Sequence, residues 1–183
     1  MTDNRQGWYA VHVGVGREEA MASRISRALQ GCGLEEAFFP KFEVEQKFHG
    51  EWKSALKPLW PGYIIVATRL PDALAKGCAE LSEYARVVEV GGEPAALVSP
   101  AAELVRAWTE PGDRVVPLST GVKERDRMTV LQGPLVGNEH LVESMDRRKG
   151  IAVLGVDGLD GKSRMRIGLR VLPGDKARNI CID

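Results

Sequence analysis

Three histidines, His12, His49 and His140, are the side chains best suited to acid–base or metal chemistry here, and their scatter gives no ligand spacing. The cysteines, Cys32, Cys78 and Cys181, are odd in number and form no CxxC pair. That argues against a zinc site or a disulfide framework and fits a reducing cytoplasm. Gly14-Val15-Gly16 lacks the third glycine of a dinucleotide fingerprint and runs into Arg17, so it reads as a turn. There is no P-loop, and no Ser-His-Asp or Cys-His arrangement with interpretable spacing. The expectation is a protein that is not an enzyme and carries no cofactor and no metal.

Two other constellations stand out, and both suggest binding. The first is PLWPGYIIV, residues 58–66. Pro61 fixes its own φ and disfavours helix at Trp60, while Gly62 permits a left-handed turn. The β-branched run YIIVAT that follows has the character of a strand. Trp60 and Tyr63 therefore stand at a rigid strand entrance, either capping a core edge or offering apolar area to a partner. The second constellation is basic: Lys123, Arg125 and Arg127, then Arg147, Arg148 and Lys149, then Lys162, Arg164 and Arg166. Such residues can pair with phosphates, and Arg can also stack on unpaired bases. Glu124, Asp126, Asp146, Asp157 and Asp160 are interleaved with them, which equally suits a solvated face.

At 183 residues the chain has room for one ordinary domain or two small ones. Its 44% hydrophobic and 27% charged residues place it with soluble globular proteins. The net charge of zero hides an asymmetry. Residues 1–110 hold 12 Lys and Arg against 15 Asp and Glu, and residues 111–183 hold 13 against 10. The second part is thus the one better disposed toward nucleic acid. The N-terminal MTDNRQGWYAV has no basic region leading into an apolar core, so no secretory signal is expected. No apolar run nears the ~18 residues of a membrane span, so a cytoplasmic protein is expected.

Elements must hold these groups in place. Residues 8–13 (WYAVHV) read as a strand and 17–30 as a helix, with Met21, Ile25 and Leu29 on one stripe. Residues 36–44 look extended, and EQKFHGEWKSA around His49-Gly50 looks like an exposed hairpin with short arms. After the strand at YIIVAT, a helix is expected over 71–81, with Leu74, Cys78 and Leu81 on one face. Residues 84–90 read as one strand, and Ser99-Pro100 as the N-cap and first position of a helix over 101–108. From residue 109 turn formers accumulate and a linker is expected. Short strand candidates at 127–131, 140–142, 150–156 and 165–172 suggest a small barrel.

The motifs WYAVHV and PLWPGY, followed by VLQGPLVGNEHLVESMDRRKGIAVL, resemble the NusG family of transcription elongation factors over nearly the whole chain. The resemblance implies an α+β chain: an N-terminal NGN α/β sandwich over residues 1–109, a linker over 110–122, and a small SH3-like β-barrel (KOW) over 123–176. It also implies a monomer that docks on RNA polymerase. The family's apolar recess for a polymerase helical tip would then be built by Trp60, Pro61, Gly62 and Tyr63. Val13, Val15 and Arg17 belong to the same surface, and the His49 hairpin is placed toward the opposite polymerase lobe or the non-template DNA strand. The basic rim, from Lys123 to Arg166, would meet nascent RNA.

Three departures qualify the likeness. Leu135 stands where general members commonly have an aromatic, Glu139-His140 where they have a glycine, and the barrel ends in SRMRIGLRVL rather than an FGR-like segment. These weaken the surface that holds a ribosomal protein or the termination factor Rho in general members. They resemble the specialised LoaP-type antiterminators, which act on selected operons through an RNA element. A general elongation factor, or a ribosome-associated RNA-binding protein, are the other readings.

Overall fold

Alternation in Gly7–His12 (β1) sends Trp8 and Ala10 to one face of a sheet and Tyr9 and Val11 to the other. The computed structural model describes residues 7–81, 84–124, 127–159, 161 and 163–172, apart from the side chains of Glu124 and Arg127. After β1 come α1 (Glu18–Ala28), β2 (Leu34–Phe38), β3 (Lys41–Phe48), β4 (Glu51–Pro58), β5 (Tyr63–Thr68) and α2 (Pro71–Leu81). Short strands β6 (Arg86–Val87), β7 (Glu89–Val90) and β8 (Glu93–Pro94) lead to α3 (Pro100–Trp108). The rest is strand: β9 (Val115–Val116), β10 (Ser119–Glu124), β11 (Arg127–Gln132), β12 (Val142–Asp146), β13 (Ile151–Asp157) and β14 (Arg164–Leu172). Among the described residues no helix is long and apolar enough to cross a membrane.

The first sheet has the order β2-β5-β1-β6, all neighbours antiparallel. Its central strands are buried on both faces, which explains the nearly continuous apolar run of β5. Ile64 and Val66 meet Met21 and Ile25 of α1 and Leu74 and Cys78 of α2, while Ile65 and Ala67 face the opposite layer. Glu18 and Glu19 in the first turn of α1 and Arg27 in its last turn complement the helix dipole. Ser99 Oγ accepts from Ala102 N–H at 3.2 Å, the expected cap of α3.

Three features differ from the sequence reading. The His49 hairpin has arms of eight residues each, β3 and β4, paired from Lys41↔Pro58 to Phe48↔Glu51. Its turn has positive φ at both His49 (49°) and Gly50 (89°), the geometry that matches strand twist. Residues 84–90 are two strands, because the chain leaves the β1 edge after Val87 and folds back at Gly91-Gly92. Residues 110–122, read as a linker, are built into sheets at 115–116 and 119–122: β9 pairs in parallel with β3, and β10 pairs with both β11 and β14. Arg114 pins this segment. Its Nη2 lies 2.6 Å from Glu36 Oε2, its guanidinium sits over the rings of Trp8 and Phe38, and Lys41 N–H donates to its carbonyl at 2.9 Å.

The C-terminal strands form a five-stranded, barrel-like sheet in the order β11-β10-β14-β13-β12. Met165, Ile167 and Leu169 of β14 alternate inward, as do Ala152, Leu154 and Val156 of β13. Leu135 is fully buried and fills the barrel core. Gly168 breaks the alternation: it points outward yet is buried, because the β3 backbone lies directly against it. One apolar cluster therefore runs from Trp8, Ile65 and Val105 through Phe42 and Val44 to Leu154, Ile167 and Leu169.

Candidate functional site

The Pro61-Gly62 turn is held by a buried carboxylate that the sequence reading did not single out. Glu18, 4% exposed at the start of α1, accepts the Gly62 N–H at 2.8 Å, and Val13 N–H donates to Gly62 O at 2.7 Å. Gly62 has φ +83°, a left-handed conformation that favours glycine. The strand entrance is rigid for a stated reason.

Its predicted contact residues divide by depth. Trp60 is 5% exposed and belongs to the core, and its buried Nε1 has no acceptor among the described residues. Val13 is 1% exposed and packs with α1 and α2. These two shape the surface from beneath and offer a partner no area in this arrangement. The alternation that carries Val11 and Val13 to the helix face explains the second, and the turn that seats Trp60 with Leu59 in the core cluster, closed by Tyr63 N–H donating to Trp60 O at 3.1 Å, the first. Val15 (76% exposed), Pro61 and Arg17 lie at the surface, with Arg17 5.8 Å from the ring of Tyr84. Tyr63 is half-buried, its ring edge-on to His12 at 5.1 Å.

The basic positions divide too. Arg125 and Lys162 lie outside the described residues, and Arg127 is described only in its backbone. The β12–β13 turn carries Arg147, Arg148 and Lys149, all exposed, next to the β3–β4 hairpin. Asp146 orders that turn by accepting from Arg148 N–H at 3.1 Å and Lys149 N–H at 3.0 Å. The Lys149 N–H holds the Asp146 carboxyl below its ordinary value, with the Lys149 ammonium adding to this. A lowered carboxyl pKa stabilises the folded turn above the ordinary value, and that contribution is lost as pH falls below it. Lys123 joins Arg147 in one cavity beside the turn. Arg164 stands at the far end of β13, roughly 20 Å away along the strand. It is held there by Asp157 at 2.9 Å and Glu143 at 3.2 Å, and Arg166 lies exposed between the two ends.

Sequence reasoning passed over Trp52 and Arg170, which share the cavity with Lys123 and Arg147. An indole flanked by Glu51 and Lys53, opposite Lys47, was the available signal for Trp52. Burial pushes the Cys78 thiol up to about 11, so it is not a thiolate at neutral pH. Among the described residues no group of His, Cys, Asp and Glu could hold a metal.

The fold thus sets an α/β layer with a rigid aromatic turn against a small barrel-like sheet with a basic β12–β13 turn. The family model described as "Transcription termination factor nusG" matches residues 6–106, more than half of the chain. The chain belongs to the NusG family of transcription factors. It is 21% identical over 151 residues to the transcription termination/antitermination protein NusG of Bacillus subtilis (strain 168), covering 79% of this chain and 84% of that protein. It is 34% identical over 70 residues to the NusG of Thermus thermophilus, covering 36% and 38%. A solved structure, "Domain interaction in Thermotoga maritima NusG", matches with a TM-score of 0.49 at 16% identity, covering 91% of this chain and 94% of that one.

Proposed function

We propose that this chain is an accessory elongation factor that binds RNA polymerase and promotes processive antitermination at selected operons, recruited through nascent RNA. Residues 1–109 serve as the polymerase-binding part, through a surface of Val15, Arg17, Pro61 and Tyr63 stiffened from below by Trp60, Gly62 and Val13. Residues 123–176 supply selectivity. The observation that carries this reading is the gathering of Lys123, Arg147, Arg148 and Lys149 at one end of the barrel beside the hairpin. Cations presented together on an ordered turn suit phosphates and unpaired bases better than cations spread over a solvated face. The barrel departure at Glu139-His140, with His140 exposed, favours this over a general factor coupled to ribosome or Rho, whereas Leu135 lies in the barrel core.

Charge reversal at the turn tests it. The triple variant Arg147→Glu, Arg148→Glu, Lys149→Glu is expected to bind leader RNA at least 100-fold more weakly, since one good Arg contact is worth ~1–3 kcal/mol. It should still co-elute with RNA polymerase. Undiminished RNA affinity would remove the barrel turn from the proposal.

A further inference from the structure

We propose that the cavity between the β3–β4 hairpin and the barrel binds one unstacked nucleotide of single-stranded RNA, its base against Trp52 and its phosphates on Lys123 and Arg147. The inference rests on the RNA-recruited reading above and gives it a specific pocket. The cavity has a volume of about 490 Å³, within the range of small-ligand sites. Its floor is apolar, built by Leu118 and Leu169, and its walls come from two parts of the chain. The hairpin contributes Trp52, an indole left 53% exposed on β4. The barrel contributes Lys123, Arg147 and Arg170.

Among the described residues lining the cavity, Lys123, Arg147 and Arg170 face one carboxylate, Glu45. Arg170 is engaged, with Nη1 3.2 Å from Glu45 Oε1 and 3.1 Å from Oε2. Among the described residues neither Lys123 nor Arg147 has an ion-pair partner. Two cations without an ion-pair partner among the described residues, beside an open indole and an apolar floor, match a ligand that is anionic at one end and flat and apolar at the other. A nucleotide has that form. A base of any identity offers a π-face to an aromatic platform, and the phosphates on either side of it suit the flanking cations. A second barrel-side pair, Arg148 and Lys149, lines a smaller cavity with Phe48 and Lys53 on the hairpin, so the strand has basic surface to follow beyond the pocket.

Packing fixes the pocket's width. A Cβ on Gly150 would lie 2.8 Å from the Glu45 carbonyl oxygen, so the β12–β13 turn is seated on the free edge of β3. Trp52 and Arg147, far apart in sequence, are held across the same opening by that contact.

The test uses the full-length chain and a short fluorescein-labelled single-stranded RNA, read by anisotropy, with tryptophan emission followed in parallel using unlabelled RNA. Trp8 and Trp60 are buried and Trp108 is half-buried, so quenching by a stacked base reports mainly on Trp52. Binding with quenching is expected. Trp52→Ala should lose about tenfold in affinity, and Trp52→Phe should keep it within about threefold while losing the quench. Lys123→Gln with Arg147→Gln should reduce the salt dependence by about 1.4 in log–log slope. Anisotropy change without quenching, and with Trp52→Ala unaffected, would overturn the pocket and leave the RNA reading standing. No anisotropy change with any RNA, leader included, would overturn both. Equal affinity and quenching with the matching deoxy-oligomer would overturn the assignment to RNA.

Discussion

Trp60→Ala is expected to destabilise the fold by about 3–5 kcal/mol, the usual cost of emptying a buried aromatic site. The side chain is 5% exposed and belongs to the cluster shared by the α/β layer and the barrel. Weaker polymerase binding by this variant would follow from a loosened strand entrance rather than from a lost contact. The control is Val15→Asp, at a residue 76% exposed, expected to change stability by no more than about 0.5 kcal/mol while weakening polymerase binding. Chemical denaturation and co-elution with polymerase, run on both variants, separate the two roles. A stable Trp60→Ala protein that fails to bind polymerase would return Trp60 to the contact surface.

Gly168→Ala is the second large effect. A Cβ at this position would collide with the Glu43 carbonyl oxygen of β3 and lie 2.8 Å from Leu118 Cδ1. A backbone atom cannot yield as a flexible side chain does, so the cost should reach the upper part of the ~1–3 kcal/mol range for overpacking. The barrel's inward core, Met165, Ile167 and Leu169, is untouched by the substitution. The expected outcome is therefore a barrel that stays folded but stands off β3, with a lowered thermal midpoint. Amide shifts should change along both β3 and β14. RNA affinity should fall with it, because Trp52 and Arg147 would no longer face one opening. An unchanged midpoint and unchanged β3 shifts would mean that β14 does not lie against the hairpin.

Local signals made much of the fold legible. Helix α2 spans Pro71–Leu81 as read, because proline at its first position and the Leu74–Cys78 spacing act within one segment. Helix α3 followed from Ser99-Pro100 in the same way. The strands in residues 110–122 did not, since Pro111, Gly112, Pro117 and Gly121 punctuate the stretch and two of its pairing partners, β3 and β14, lie far along the chain. The site divides on similar lines. The rigidity at Pro61-Gly62 was visible in two residues, but the carboxylate securing it, Glu18, is 44 positions away. The burial of Trp60 depends on how the turn folds back, which no alternation across a Pro-Gly break can tell. Trp52 gains meaning only when the barrel turn is brought to the β3 edge.

Terminator readthrough by purified RNA polymerase, with this protein added, tests the central claim most directly. Templates with and without the upstream leader of the protein's own gene cluster would be compared. Readthrough that rises only on the leader template, and is lost with the triple charge reversal at Arg147, Arg148 and Lys149, is the predicted result. An equal effect on both templates would contradict it, as would no effect on either.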